Sequence, residues 1–295
     1  MIVCGEDLKL DGRVVRTVSL AAEGFEFLER PEEVLADLRK SRRGGDIFTF
    51  IQRLPDTTPR YGYRMEWDNV AALPISTFDT WWNHQIDGKT RNMVRRAEKK
   101  GISIREVPFG ESLVRGIKNI YDECPVRQGR RFQHYQKDLD TIRKMSATFL
   151  DTSIFIGAFL DEQLIGFAKL TINQARTQAT VMHIISMIQH RDRAPTNGLM
   201  AQAVQSVAKR CLPYLVYSRF SYGKKQRDSL ADFKENNGFQ RIDLPRYYVP
   251  LSAFGRLVLH LALHHGLLHL IPEPFIAKIR EVRRSWYNSH TSQLV

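Results

Sequence analysis

Cysteine is scarce in this chain. Of 295 residues only Cys4, Cys124 and Cys211 are cysteines, widely spaced and odd in number. They make neither a disulfide framework nor a thiolate metal pattern, which points to a reducing, cytoplasmic setting. No uninterrupted apolar run reaches the ~18 residues that a membrane span needs. The opening MIVCGEDLKLDG has no cationic and apolar stretch before Cys4, so neither a signal peptide nor a lipoprotein signal is expected. Acidic side chains are also in deficit, with 32 Asp and Glu against 44 Lys and Arg, a formal net charge of +12. That sign favours acidic partners, whether nucleic acid, anionic lipid or a phosphorylated cofactor, without choosing among them. What is present is globular: a chain that is 43% hydrophobic and long enough for one large or two modest domains.

The first hundred residues read as α/β. Strands are expected over residues 13–20, 46–54 and 63–75, and a short helix over 30–40, where Val34, Leu35 and Leu38 share a side. Residues 78–85, with Trp81 and Trp82, open a helical stretch. After Gly88 a second helix, residues 89–100 (KTRNMVRRAEKK), carries Lys89, Arg91, Arg95, Arg96, Lys99 and Lys100. It suits either a solvated face or a surface that meets a polyanion such as RNA or a charged glycan. The paired Trp side chains suit either a core anchor or stacking on a base or sugar.

The stretch from 180 to 210 organises the middle of the chain. A β-branched, apolar strand runs into a short loop with Arg191, Arg193, Pro195 and Asn197, and a helix follows with Leu199, Met200, Ala203, Val204 and Val207 at helical spacing. Strand, loop and helix together bring amides and a helix dipole to one place, which fits a phosphate as well as an ordinary βα connection. Around it the expected elements run strand 102–107, helix 111–124, helix 134–150, strands 153–160 and 164–173, the organising strand and helix, strand 214–222, helix 229–236 and a strand region 238–251.

In that order, β-α-α-β-β-β-α-β-α-β, residues 88–251 resemble the GNAT acyltransferase superfamily. The hairpin FLDEQLIGF (residues 159–167) is similar to that superfamily's second hairpin, and the ending FKENNGF (233–239) before Pro245-Arg246-Tyr247-Tyr248 and the basic helix just ahead of the first strand are similar to its Fem-like branch. The resemblance implies a mixed, mostly antiparallel sheet flanked by helices. Ahead of it stands an α/β N-terminal segment (1–87), read as a shortened first repeat, and after it a helical C-terminal extension (253–295). It implies a donor cleft lined by Ile185 and Met187, with the donor phosphates met by Arg191, Arg193, Asn197 and Gly198. The family loop carries glycines where this chain has Ala194 and Thr196, and Pro195 removes a donor. The donor is therefore expected to be either acyl-CoA (acetyl-CoA) or aminoacyl-tRNA, with no metal.

Acyl transfer to an amine needs a base and an acid. Residues 164–190 hold no Asp or Glu, so His183 is the expected base and Tyr222 the expected acid, each balanced by a plain packing role. The loop CPVRQGRRFQHY offers Arg127, Arg130, Arg131, Phe132, His134 and Tyr135 to a polar or anionic amine-bearing acceptor, or else is simply a solvated basic loop. Residues 254–271 read as one apolar helix on which His260, His264, His265 and His269 point apart, so no metal site is expected there. A basic helix over 275–287 follows. The pair suits packing against the N-terminal segment or peripheral contact with the inner face of a membrane. The leading expectation is an acyltransferase using acyl-CoA. Its rivals are a Fem-type aminoacyl transferase acting on an envelope peptide or glycan, and a non-catalytic GNAT domain that binds nucleic acid or protein.

Overall fold

A computed structural model describes residues 1–41, 44–127, 129–220 and 229–265. From the N-terminus come β1 (Ile2–Val3), β2 (Glu6–Asp11), β3 (Thr17–Leu20), α1 (Pro31–Ser41), β4 (Ile47–Ile51) and β5 (Arg64–Pro74). A one-turn helix α2 (Phe78–Thr80) runs into a π-helical turn over Trp81–Gln85, and α3 (Gly88–Lys99), β6 (Ser103–Val107) and α4 (Glu111–Asp122) follow. The short strands β7 (Val126–Arg127) and β8 (Arg130–Arg131) pair before α5 (Leu139–Ser146), β9 (Ser153–Leu160), β10 (Gln163–Ile172) and β11 (Ala179–Ser186). The described chain closes with α6 (Pro195–Lys209), β12 (Tyr214–Val216), α7 (Ser229–Asn236), β13 (Gln240–Pro250) and α8 (Ala253–His260). The fold is thus the expected α/β one, with mostly antiparallel strands and flanking helices.

The chain divides into two compact units. Over the described residues one comprises Met1–Ala71, 219–220 and 241–265; the other comprises Ala72–Ser218 and 229–240. In the first unit the strands lie in the order β1-β2-β3-β4-β13, with the leading part of β5 beside β13. The helix α1 buries Pro31, Val34, Leu35 and Leu38 on one face. Those side chains join Val18, Phe48, Phe50 and Tyr247 in the core. Arg246 is buried there with its guanidinium between Glu23 Oε1 and Asp68 Oδ2, both at 2.9 Å. A buried cation needs such partners, because desolvation otherwise outweighs the attraction.

In the second unit the order is β5-β12-β11-β10-β9-β6, with the last residues of β5 on β12. Only β11 and β12 run parallel. The helix α6 packs on β9, β10, β11 and α3, while α4 packs on β10 and α5. The buried Lys169 on β10 donates to Ser146 O, to Thr148 O and to Thr148 Oγ1, ending the turn after α5, and burial pushes its ammonium down to about 8.

Several elements differ from the sequence expectation. The helix expected over 134–150 is only Leu139–Ser146. Gln136 has a left-handed φ of 57°, Asp138 caps the helix by accepting from Thr141 N, and Phe149 turns the chain with φ 56°. The strand expected over 214–222 stops at Val216, before the left-handed Ser218. The opening residues form β1 and β2, for which no element is expected from the sequence, and the first expected strand is confined to Thr17–Leu20. The helix expected over 254–271 ends at His260. Its chain turns at Ala262, φ 53°, into a 3-10 turn over Leu263–His265. Residues 266–271 and the basic helix expected over 275–287 lie outside the described residues. No helix among the described residues is long and apolar enough to cross a membrane.

The start of α8 rests directly on the backbone of Asp46. Ser252 Oγ accepts from Gly255 N and donates to Asp46 Oδ1, each at 2.9 Å. A Cβ at Gly255 would stand 1.8 Å from Asp46 O. Gly255→Ala is therefore expected to cost about 3 kcal/mol, the upper range for overpacking. Urea unfolding of the full chain, compared with the same change at the open Gly24, measures it.

Candidate functional site

The site is built on β11. Its sequence ATVMHIIS is β-branched and apolar, suited to the centre of a sheet. On one side it pairs along its length with β10, from Ile172↔Ala179 to Gly166↔Ser186. On the other side it pairs with β12 only at Ala179↔Leu215 and Thr180↔Val216. Among the described residues no strand pairs with β11 on that side beyond Thr180, so the stretch from Val181 to Ser186 has no strand partner there. Backbone donors and acceptors on such a flank need a partner, and an extended ligand supplies one.

His183 stands midway along this strand, opposite Lys169 in register. Its ring stacks on Phe167 at 5.1 Å and meets Tyr121 edge-on, with Nε2 3.2 Å from the Tyr121 hydroxyl. His134 stacks on Tyr121 at 4.8 Å and lies 5.8 Å from His183, and Phe132 closes the cluster against both Tyr121 and His134. Burial is the main cause of each shift here. It pushes the His183 imidazolium down to about 4, lowers His134, and raises the Tyr121 phenol. Near neutral pH both imidazoles are therefore uncharged and Tyr121 keeps its proton. The pair can accept a proton at one atom and release one at the other.

A buried ion pair holds the end of the strand. Glu123 follows α4, a position where the helix dipole disfavours an anion. Its carboxylate accepts from Ile188 N at 2.8 Å and Gln189 N at 2.9 Å, and pairs with Arg127 Nη2 at 2.8 Å. Arg127 in turn donates to Ser186 O and Ile120 O, both at 2.9 Å, and lies over the Phe132 ring. Most of its fork is thus spent on positioning rather than on a ligand.

The loop before α6 is likewise engaged. Ala194 takes a left-handed φ of 56° and Pro195 is the first helical residue. The amides of Asn197 and Gly198 both donate to Ala194 O, at 3.1 and 3.4 Å. Gly198 is buried against Ile104, whose Cδ1 would stand 2.1 Å from an added Cβ. These amides do not form a free cradle for a diphosphate. Arg191 is exposed, and Arg193 Nη1 donates to Lys100 O at 3.0 Å, which ties the loop to the chain just after α3.

On α3 itself, Thr90, Val94 and Ala97 face inward and the cations divide. Arg91 donates to Trp82 O and Ile86 O and is structural. Lys89, Arg95, Arg96, Lys99 and Lys100 are exposed. At 100° per residue these five cover an arc of about 140°, with Lys89, Arg96 and Lys100 nearly in line. Of the two tryptophans, Trp81 is fully buried with Nε1 on Asn237 O, while Arg95 lies over the half-buried Trp82.

Of the residues singled out in the sequence, His183, Arg127, Phe132 and His134 come together. Arg130 and Arg131 are exposed on β8, and Tyr135 is half-buried beside Gln136. Ile185 is half-buried on the open strand, whereas Met187 is buried with its amide on Ile165 O. Tyr222 lies outside the described residues. Cys124 donates its thiol to Val126 O at 3.0 Å and has no histidine partner among the described contacts. Sequence reasoning missed Tyr121 and Glu123. The four-residue spacing of Glu123 and Arg127 was the one available signal, and Pro125 between them hid it.

No protein-family model matches the chain, and no curated protein matches it. Solved structures do. FemX aligns with TM-score 0.58 at 10% identity over 81% of this chain and 83% of its own. The C-terminal domain assigned to a lysylphosphatidylglycerol synthetase from Agrobacterium fabrum aligns with TM-score 0.55 at 15% identity, covering 86% and 82%. L-PGS from Bacillus licheniformis aligns with TM-score 0.54 at 15% identity, covering 86% and 85%. The chain therefore shares its fold with FemX and with these two synthetase structures.

Because the folded state holds His183 below the ordinary imidazole value, protons favour the unfolded chain as pH falls from ~6.5. Stability is unaffected by this residue above that pH, declines down to about 4, and then stops changing on its account. Urea unfolding across this range should show the decline, and His183→Gln should remove part of it, with the His134 contribution remaining.

Proposed function

On this fold, we propose that the chain is an aminoacyl transferase that takes its donor group from aminoacyl-tRNA and delivers it to an amine of a polar acceptor. The observation that carries the reading is the open flank of β11 from Val181 to Ser186, an extended seat beside a neutral imidazole and a protonated phenol. The amine nitrogen attacks the ester carbonyl, an amide bond forms, and the bond to the ribose oxygen breaks. His183 accepts the proton that the amine loses, and Tyr121 returns one to the leaving oxygen through their shared hydrogen bond. The acceptor enters from the loop that holds Phe132 and His134, with the exposed Arg130 and Arg131 at its rim.

The choice of tRNA over acyl-CoA rests on two features. The Ile188, Gln189, Asn197 and Gly198 amides already carry the Glu123 carboxylate and the Ala194 carbonyl, which leaves no cradle for a diphosphate. The exposed cations of α3 continue, across the Arg193 contact with Lys100, to Arg191. Such a track suits a phosphate backbone. The lysyl group in the name of one neighbour, the lysylphosphatidylglycerol synthetase, agrees with an aminoacyl donor.

The test is transfer of a labelled aminoacyl group from a charged tRNA pool, with peptide amines and phosphatidylglycerol vesicles as separate acceptors and acetyl-CoA as the rival donor. Transfer from tRNA is expected, reduced about 100-fold or more in His183→Ala, as for loss of general acid–base catalysis. Turnover with acetyl-CoA alone overturns the donor, and tRNA binding without transfer from any donor favours a binding module. Independently, Arg96→Gln with Lys100→Gln should weaken tRNA binding and flatten its salt dependence by about 1.5 in log–log slope, the release expected for two phosphates. Filter binding between low and high salt measures that slope.

A further inference from the structure

Away from this site, three metal-ligating side chains meet in the first unit. Glu66 lies on β5, and His264 and His265 lie on the 3-10 turn after α8. Glu66 Oε1 is 2.9 Å from His264 Nε2, and Glu66 Oε2 is 2.7 Å from His265 Nε2. The two rings are 4.0 Å apart, and the donor atoms of all three residues lie within 4.8 Å of one another. Adjacent residues on a regular helix would point about 100° apart. Here the left-handed Ala262 breaks the helix, and that break lets both rings turn to one carboxylate.

We propose that Glu66, His264 and His265 form a zinc site. Two imidazoles and a carboxylate are a borderline donor set that suits Zn2+ over Mg2+ or Ca2+, and three protein ligands leave a fourth position for water. The gap is close to the size required. Tetrahedral zinc with bonds of about 2.0–2.2 Å separates its donors by about 3.3 Å, so the carboxylate must part slightly from the rings, and any donor pair nearer the 4.8 Å limit must close to that spacing. His264 is almost inaccessible, with 2% of its side chain exposed, and packs on Tyr248 at 4.6 Å, so its direction is fixed before an ion arrives. Its Nδ1 is buried without a hydrogen-bond partner, so no bond on that side fixes the tautomer against freeing Nε2. His265, 29% exposed, leaves a path for entry. Tyr248, on which His264 packs, belongs with Ile47, Val258, Leu259 and Leu263 to one hydrophobic cluster.

Arg64 opposes the ion electrostatically. Its Nη2 is 3.5 Å from Glu66 Oε1, while the same guanidinium donates to Leu259 O. Affinity below that of a closed four-ligand site follows. The ion would join β5 to the segment after α8, residues almost 200 positions apart, so its role would be to fasten the end of the first unit rather than to do chemistry.

The experiment uses the full chain stripped with chelator and titrated with zinc alone, followed by calorimetry and thermal unfolding. One zinc per chain and a rise in Tm of several degrees are expected, with no response to magnesium. Cobalt should give the visible absorption of a tetrahedral site. His265→Ala and Glu66→Gln should each lose affinity at least tenfold while keeping the Tm of the metal-free wild type. His265→Ala is decisive, since its partial exposure makes the change mild for folding. Zinc binding weaker than ~100 µM in the wild type, an equal response to magnesium, or unchanged zinc binding in either variant overturns the site.

Discussion

The ion pair between Glu123 and Arg127 is the constraint on which the candidate site depends. Each member alone would be costly: an anion just past a helix C-terminus, and a guanidinium largely withdrawn from water. Together they serve four backbone groups, the amides of Ile188 and Gln189 and the carbonyls of Ile120 and Ser186. That set fixes where β11 ends, where the following loop begins, and where the chain leaves α4. Tyr121 sits two residues before Glu123, and Phe132 lies under the Arg127 guanidinium. The aromatic and histidine cluster is therefore held from the same clamp as the strand it faces.

The second constraint is the parting of β11 from β12. Two parallel residue pairs hold the strands at one end, and the left-handed turn at Ser218 takes the chain away after Val216. The sheet continues on the other side through register shifts at Lys169/Leu170 and Leu164/Gly166, because β10 and β9 are joined by a tight hairpin and pair over most of their length. Paired with β10 on one flank and, among the described residues, without a strand partner past Thr180 on the other, β11 would offer a fixed backbone to the donor proposed above. Pre-organisation of this kind lowers the entropy lost on binding.

Local chemistry was legible in the sequence and long-range chemistry was not. The hairpin FLDEQLIGF was readable because Asp161 and Glu162 tolerate the left-handed turn, φ 46° and 63°, between two β-rich runs. The helix α6 was readable from its apolar spacing, although it begins at Pro195, a residue that the sequence reading assigns to the loop. The shortening of α5 was not, because the positive φ at Gln136 and Phe149 falls on residues with no such preference. Nor was the meeting of Tyr121 with His183, which are 62 positions apart, or the capture of Ile188 by Glu123 across 65. The histidines after α8 were misread for a simpler reason. An unbroken helix was extrapolated through Ala262, and helical geometry then separated rings that the broken chain brings together. Among the cations of α3, counting charge could not show that Arg91 is spent on carbonyls inside the fold.

An unpaired strand edge has a consequence beyond ligand binding. Sheet edges join whatever extended chain they meet, and proteins ordinarily blunt them with charge, proline or a covering loop. The stretch VMHIIS has none of the first two, and Met182 is exposed on it. On the reading proposed above, the backbone that receives a donor would, without one, be a template for a neighbouring chain. Occupancy by substrate would then act as a solubility device, and the chain would be at its most aggregation-prone when idle.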